Sequence, residues 1–290
     1  MRRPSLFENV PATRARVLVL FVLGHLALKA VFFSAPFYRL VAAPVYAWTS
    51  GVVTPIVLAA IIEFIVLIGG VCVWAGGLRL RHLGLERPAF INAGVVMLLV
   101  WGLAQATTVL LGWSGLVPFK PNPDLAIFSV PVLVGKQLDA IVGSALIEEV
   151  MYRGFLMTQL VLLFQRLWPR RPGRSLIAAV GLTQLYFGLN HIPAAMRMHL
   201  PAAEIAVYIV HVVLVGMLFA ALYLRTGNLF VAVGAHAIVN NPASLFVSGF
   251  DPALLALVLV CLMLLVWPML HRTFADVFTL RPALADGPLV

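Results

Sequence analysis

Long apolar runs alternate with short polar connections from residue 17 to residue 270. A helix crossing a hydrocarbon core of roughly 30 Å needs about 20 mostly apolar residues. By that measure the runs predict eight spans, at 17–34, 52–75, 90–112, 139–165, 175–191, 205–224, 228–246 and 253–270. The fifth is short and is expected to end inside the membrane. The Pro- and Gly-containing stretch 112–123 reads as a loop between spans. No internal repeat, low-complexity tract or composition break divides the chain. It therefore reads as one all-α polytopic transmembrane domain over 1–290.

Composition sharpens this reading by exclusion. Apolar residues make up 62% of the chain and charged residues 11%, whereas soluble domains are nearer half apolar and a quarter charged. An ordinary water-soluble domain is excluded, and so is a disordered chain, which needs low hydrophobicity and high charge. The net charge of +9 would suit nucleic acid, but the charges cluster between the apolar runs, as they do in cytoplasmic loops. No nucleic-acid partner is expected; the partner these runs imply is membrane lipid.

With the N-terminus placed inside, fourteen Lys and Arg residues fall on the cytoplasmic side, and four, Arg39, Lys120, Lys136 and Arg197, on the other. Both termini are thus expected in the cytoplasm of a bacterial cell, with the chain in its inner membrane. Arg2 and Arg3 before an apolar run suggest a signal peptide, but the run is long and no small-x-small site follows, so an uncleaved first span is expected. Cys72 and Cys261 lie far apart without metal-ligand spacing.

Ionisable groups inside spans are the informative residues, because each is costly in hydrocarbon and usually faces a cavity and a partner. They are His25, Lys29, Glu63, Glu148, Glu149, Arg153, His191, His211 and His236, with Asn240 as a polar companion. Glu148 and Glu149 are adjacent and point about 100° apart on a helix. Glu149 and Arg153 are spaced i, i+4 and can pair on one face, which leaves Glu148 as the unpaired acid. Burial without a partner makes a carboxyl a serviceable general base. A purely structural Glu–Arg pair accounts for Glu149 and Arg153 but not for Glu148. His191, before Ile192-Pro193, reads alone as a helix-end residue. His236 and Asn240 share a face at i, i+4. Together the groups suit peptide hydrolysis: a carboxylate and an imidazole activate water while a second imidazole and an amide donate to the oxyanion.

The three motifs, Glu148-Glu149-x-x-x-Arg153, Phe187-x-x-x-His191 and His236-x-x-x-Asn240, resemble those of the CAAX protease and bacteriocin-processing (CPBP, or ABI) family, which includes the type II CAAX prenyl endopeptidases. Arg81-His82-Leu83-Gly84-Leu85 and Arg225-Thr226-Gly227-Asn228-Leu229 also resemble strings carried by members, and the likeness covers about 139–246. The resemblance implies a glutamate-dependent intramembrane endopeptidase that uses no metal, and no cofactor is expected. It implies that Glu148 and His191 activate the water, that His236 and Asn240 form the oxyanion hole, and that Glu149, Arg153 and Phe187 support them. The implied substrate is a membrane-anchored or lipidated protein. A site that trims prenylated tails is expected to open to the cytoplasm, yet the charge pattern carries His191 toward the outer side. An outward-facing site would suit trimming of the anchors of exported proteins.

Three other readings compete. His191, His236 and Glu148 could form a His₂Glu zinc set, although no His-Glu-x-x-His is present. Gly112-Trp113-Ser114-Gly115 resembles the rhomboid serine signature. A non-catalytic scaffold, immunity protein or ion-coupled carrier would instead use Glu63, His25, Lys29 and His211. The simplest account of Glu63 is a pair with a basic residue on a neighbouring span.

Overall fold

A computed structural model describes residues 6–7, 9–86 and 90–278; Arg2, Arg3, Arg87 and Arg281, used in the charge count, lie outside them. Ten helices follow in chain order among the described residues, apart from isolated single turns. They are α1 (Ala15–Phe32), α2 (35–48), α3 (Pro55–Ala75), α4 (Ile91–Trp113), α5 (Val130–Leu167), α6 (Pro172–Leu189), α7 (Ile192–Arg197), α8 (Ala202–Thr226), α9 (Leu229–Asn240) and α10 (Pro252–Phe278). Each of the eight apolar runs overlaps one of these helices. Five, α1, α3, α4, α5 and α8, are long and apolar enough to cross a membrane. The others are modest for physical reasons. The eighteen residues of α6 include Arg174, Ser175, Thr183 and Gln184, and α9 has only 12 residues, about 18 Å at 1.5 Å per residue.

The short α9 is the centre of the molecule. Every residue from Leu229 to Ile238 is buried, and α4, α5, α8 and α10 pack around it. Gly234 makes the closest of these approaches possible: a Cβ there would sit 2.5 Å from the carbonyl oxygen of Ala93 on α4. Between α8 and α9 the chain reverses within the Arg225-Thr226-Gly227-Asn228-Leu229 string. Gly227 takes φ 68° at the end of α8, a left-handed conformation glycine adopts without steric penalty. Asn228 then caps α9, its Oδ1 accepting from the Phe230 N–H at 2.9 Å. The Arg81-His82-Leu83-Gly84-Leu85 string packs against this turn: a Cβ on Gly84 would stand 3.0 Å from Cβ of Leu229.

Four features depart from the expected elements. The loop expected over 112–123 contains the strand Phe119–Pro121, which pairs antiparallel with Phe246–Ser248, Lys120 opposite Val247. Correspondingly, the span expected to reach 246 ends at Asn240. The fourth span begins nine residues earlier than expected, at Val130 rather than 139, and runs for 38 residues. Over Asp139–Leu146 and Glu149–Met157 its backbone widens to the i→i+5 register, a distortion that recurs at functional sites. Finally, 35–48 is helical, with Pro36 in its first turn, where the missing N–H costs nothing, and Pro44 just after the widened turn Tyr38–Ala42. It exposes Leu40 and Trp48, as a helix lying at a lipid–water interface does.

Ends that the charge pattern assigns to one side also meet in space. The Thr13 N–H donates to Oε1 of Gln159 at 2.7 Å, both on the side assigned as cytoplasmic. At the opposite end the Arg197 guanidinium donates to the Phe33 carbonyl at 3.2 Å.

Candidate active site

The first motif builds the floor of the site. Glu149 and Arg153 are fully buried and pair at 3.0 Å across one turn of α5. Nη2 of Arg153 also donates to Oε1 of Gln184 on α6 at 3.0 Å and to the Gly216 carbonyl on α8 at 2.7 Å. Its guanidinium lies 4.9 Å from the centroid of the Phe187 ring. One cation thus joins three helices, and the α8 contact depends on a bare backbone. A Cβ at Gly216 would come within 2.6 Å of Gln184 Oε1 and 2.9 Å of Phe187 Cδ1.

The third motif meets the first from the central helix. Nδ1 of His236 lies 2.9 Å from Oε1 of Glu149. Its Nε2 faces Oε2 of Glu148 at 3.7 Å, and Phe219 of α8 stacks on its ring at 4.5 Å with 20° between planes. Helix spacing alone leaves Glu148 unpaired; the structure sets it near the His236 imidazole at a separation longer than a hydrogen bond, an ion pair only when that ring is protonated, and its side chain keeps 16% exposure. Both carboxylates of the pair converge on one imidazole.

His191 follows the end of α6, where the last carbonyls have no helical partners. Its Nδ1 bonds the Phe187 carbonyl at 2.8 Å, and because a carbonyl only accepts, the proton is on Nδ1 and Nε2 is left as the basic nitrogen. Its ring rests 4.7 Å from the Phe187 ring and 6.4 Å from that of Tyr208. Phe187 in turn stands 6.4 Å from the His236 ring. Phe187 thus separates the two histidines.

Asn240 does not join the buried group. It is the exposed last residue of α9 and lines a cavity of about 300 Å³ with Ile56, Lys136, Asp139, Ala140, Ser144 and Asn241. Of these, Ser144 precedes Glu148 by four residues on α5; Glu148, His191 and His236 are not among the lining residues. The Thr54 hydroxyl donates to Asp139 and fastens the start of α3 to the cavity wall.

A second buried polar group lies behind Tyr152. Nε2 of His25 and Nζ of Lys29 each stand 3.7 Å from Oε1 of Glu63, and Nδ1 of His25 is 2.9 Å from the Tyr186 hydroxyl. Glu63 thus has basic neighbours on an adjacent helix, as its simplest account requires. The remaining candidates stand apart. His211 is on the exposed side of α8, and the exposed Ser114 hydroxyl donates to the Leu111 carbonyl of its own helix at 2.9 Å. Among the described residues no three His, Cys, Asp or Glu side chains group as a metal-ligand set. In the basic connection, burial and then Arg81 and Arg79 hold the His82 imidazole below its ordinary pKa, and its Nδ1 accepts from the Arg79 N–H at 3.1 Å.

Phe219, Tyr208, Gln184 and Gly216 complete the site without having been singled out in the sequence. Gln184 had a usable signal, an amide within an apolar run. The other three are an aromatic, an aromatic and a glycine of the kind any apolar helix carries.

Residues 125–241 match the family model of the type II CAAX prenyl endopeptidases, Rce1-like. That segment contains all three motifs, and the match bears out the family resemblance read from them. Comparison with curated proteins and with solved structures gives no match.

Proposed function

We propose that this helical membrane protein, with the type II CAAX prenyl endopeptidase pattern over residues 125–241, is an intramembrane endopeptidase. It cleaves a peptide bond near the membrane-anchored or C-terminal end of a protein substrate. The observation that carries the reading is Glu148, a partly exposed carboxylate facing His236, with the neighbouring Glu149 already matched by Arg153.

The chemistry follows from the hydrogen-bonding partners. Glu148, assisted by the free Nε2 of His191, takes a proton from water as the water oxygen bonds to the scissile carbonyl carbon. The carbonyl electrons move onto oxygen. His236 is placed to receive that charge. Its Nδ1–H is held by Glu149, so Nε2 donates only when the ring carries a second proton. An imidazolium there makes the buried set of Glu148, Glu149, Arg153 and His236 neutral overall. Asn240 supplies a second donor from the cavity mouth. Collapse of the tetrahedral intermediate breaks the C–N bond, and the proton held on Glu148 passes to the leaving amine. No side-chain nucleophile and no metal is needed.

On this reading substrate approaches along the polar cavity lined by Ser144 and Asn240, at the end that the charge pattern assigns to the outer face of a bacterial inner membrane. The deciding experiment compares the termini of membrane proteins by mass spectrometry in cells carrying wild type or Glu148→Gln. New termini that depend on Glu148 support the endopeptidase. Identical termini from two folded proteins overturn it in favour of a scaffold.

A further inference from the structure

The group formed by His25, Lys29, Glu63 and Tyr186 lies outside the chemistry just described, and three of its members lie outside the matched residues 125–241. His25 is fully buried and Glu63 is 3% exposed. Among the described residues neither Nε2 of His25 nor Oε1 of Glu63 has a hydrogen-bond partner, although the two atoms face each other at 3.7 Å. A group made only for packing has no need of charge, since apolar side chains of similar volume join helices without desolvating ions. What the charges provide is direction. With Lys29 as its countercharge at 3.7 Å, Glu63 is an acceptor, so the imidazole nitrogen facing it carries the proton. The opposite nitrogen, Nδ1, is then an acceptor, and Tyr186 donates its hydroxyl to it at 2.9 Å. Imidazole and phenol are hydrogen-bonded from α1 to α6, and the α3 carboxylate stands behind the imidazole at ion-pair distance, 3.7 Å.

This group ends on the turn that carries His191. The Tyr186 carbonyl accepts from the Asn190 side chain at 2.7 Å, and the next carbonyl, that of Phe187, accepts from His191 at 2.8 Å. The Tyr186 ring also packs against Tyr152 at 5.9 Å between centroids, and Tyr152 is one turn beyond Glu148. Tyr152 in turn meets the Phe187 ring edge-on at 4.9 Å, and Phe187 meets the His191 ring at 4.7 Å, so a displaced Tyr186 ring reaches His191 through two further aromatic contacts.

We infer that Glu63 and His25 are positioning residues that act through Tyr186 to hold His191 in register with Glu148. The inference rests on the endopeptidase reading and deepens it, because it makes α1 and α3 part of the machinery rather than a membrane anchor for it.

The test uses the full chain in lipid nanodiscs and a quenched fluorescent farnesylated peptide ending in Cys-aliphatic-aliphatic-X. Tyr186→Phe keeps the ring and removes only the hydroxyl, and His25→Gln keeps polarity and removes the relay. Each is expected to lower kcat by about ten- to a hundredfold, the scale of a misplaced catalytic group, with KM unchanged. The double variant should be no worse than the more damaging single one, as residues of one network behave. A second readout does not depend on turnover. In histidine-labelled ¹⁵N spectra, assigned with His191→Ala, the wild-type His191 should show its proton fixed on Nδ1, and both variants should show exchange between ring nitrogens. An unchanged His191 signal in Tyr186→Phe, or kcat losses that multiply in the double variant, would overturn the positioning role. Failure of wild type to cleave the peptide would count against the endopeptidase reading alone, and the spectra would still decide the positioning role.

Discussion

The Glu149 carboxylate and the His236 imidazole meet at 2.9 Å although 87 residues separate them in the chain. The same carboxylate oxygen takes the Arg153 guanidinium at 3.0 Å. Glu149 is therefore a shared anion that fixes a cation on one side and an imidazole on the other. Adjacent glutamates thus receive opposite assignments, and substitution should separate them.

Glu148→Gln should leave the fold intact and abolish cleavage. Glu149→Gln strips the countercharge from a buried Arg153 and should lower stability by about 3–5 kcal/mol. Thermal unfolding in detergent beside a cleavage assay distinguishes the two. A Glu148→Gln protein that cleaves normally would refute the water-activation scheme even with the fold correct.

Asn240 is exposed at the end of α9, so Asn240→Ala should not unfold the protein. Loss of one oxyanion donor is expected to reduce kcat by about 10²–10³-fold. If kcat is preserved and only KM rises, Asn240 binds the substrate from the cavity mouth and does not stabilise the transition state.

Gly216→Ala places a methyl group 2.6 Å from Gln184 Oε1 and 2.9 Å from Phe187. Overpacking of this kind costs about 1–3 kcal/mol, and here it also displaces two residues that hold Arg153. Gly102→Ala on α4 is the control: nothing stands within 4 Å of its Cβ, and the gain in helix propensity, roughly 1 kcal/mol, favours the alanine. Unfolding midpoints should move in opposite directions.

Sidedness is read by labelling. In a background lacking Cys72 and the exposed Cys261, a cysteine at Asn241 should react with an impermeant maleimide from outside intact cells, and one at His82 only after permeabilisation. The reverse pattern would place the polar cavity on the cytoplasmic face.

A chelator experiment addresses the zinc alternative. Cleavage should persist in strong chelator and be lost in His191→Ala. Loss in chelator with recovery on adding zinc would replace the Glu148 mechanism by metal chemistry.

What the sequence disclosed was local. The Glu149–Arg153 pair was legible because four residues are one helical turn, and Glu63 announced a basic neighbour because an acid in an apolar run needs one. The Glu149–His236 contact was not legible, since it depends on how α9 docks between α4, α5 and α8. That docking is set in part by Gly234, whose role lies in the side chain it lacks. The paired strands 119–121 and 246–248 are three residues each, too short for an alternating pattern. Helix 35–48 has only fourteen residues, too few to register as a membrane-crossing run. Phe219 is one of eighteen phenylalanines, and nothing in its neighbourhood distinguished it from the others.

The triple attachment of Arg153 has a consequence for biosynthesis. Glu149 leaves the ribosome before Arg153, but Gln184 and Gly216 emerge 31 and 63 residues later. Until α8 is inserted, the guanidinium has donors without acceptors, a state that hydrocarbon does not tolerate and water or the insertion machinery must supply. The site therefore closes late, after α6 and α8 have both arrived. A chain stopped between α5 and α8 is left with an arginine that has not yet found its third helix.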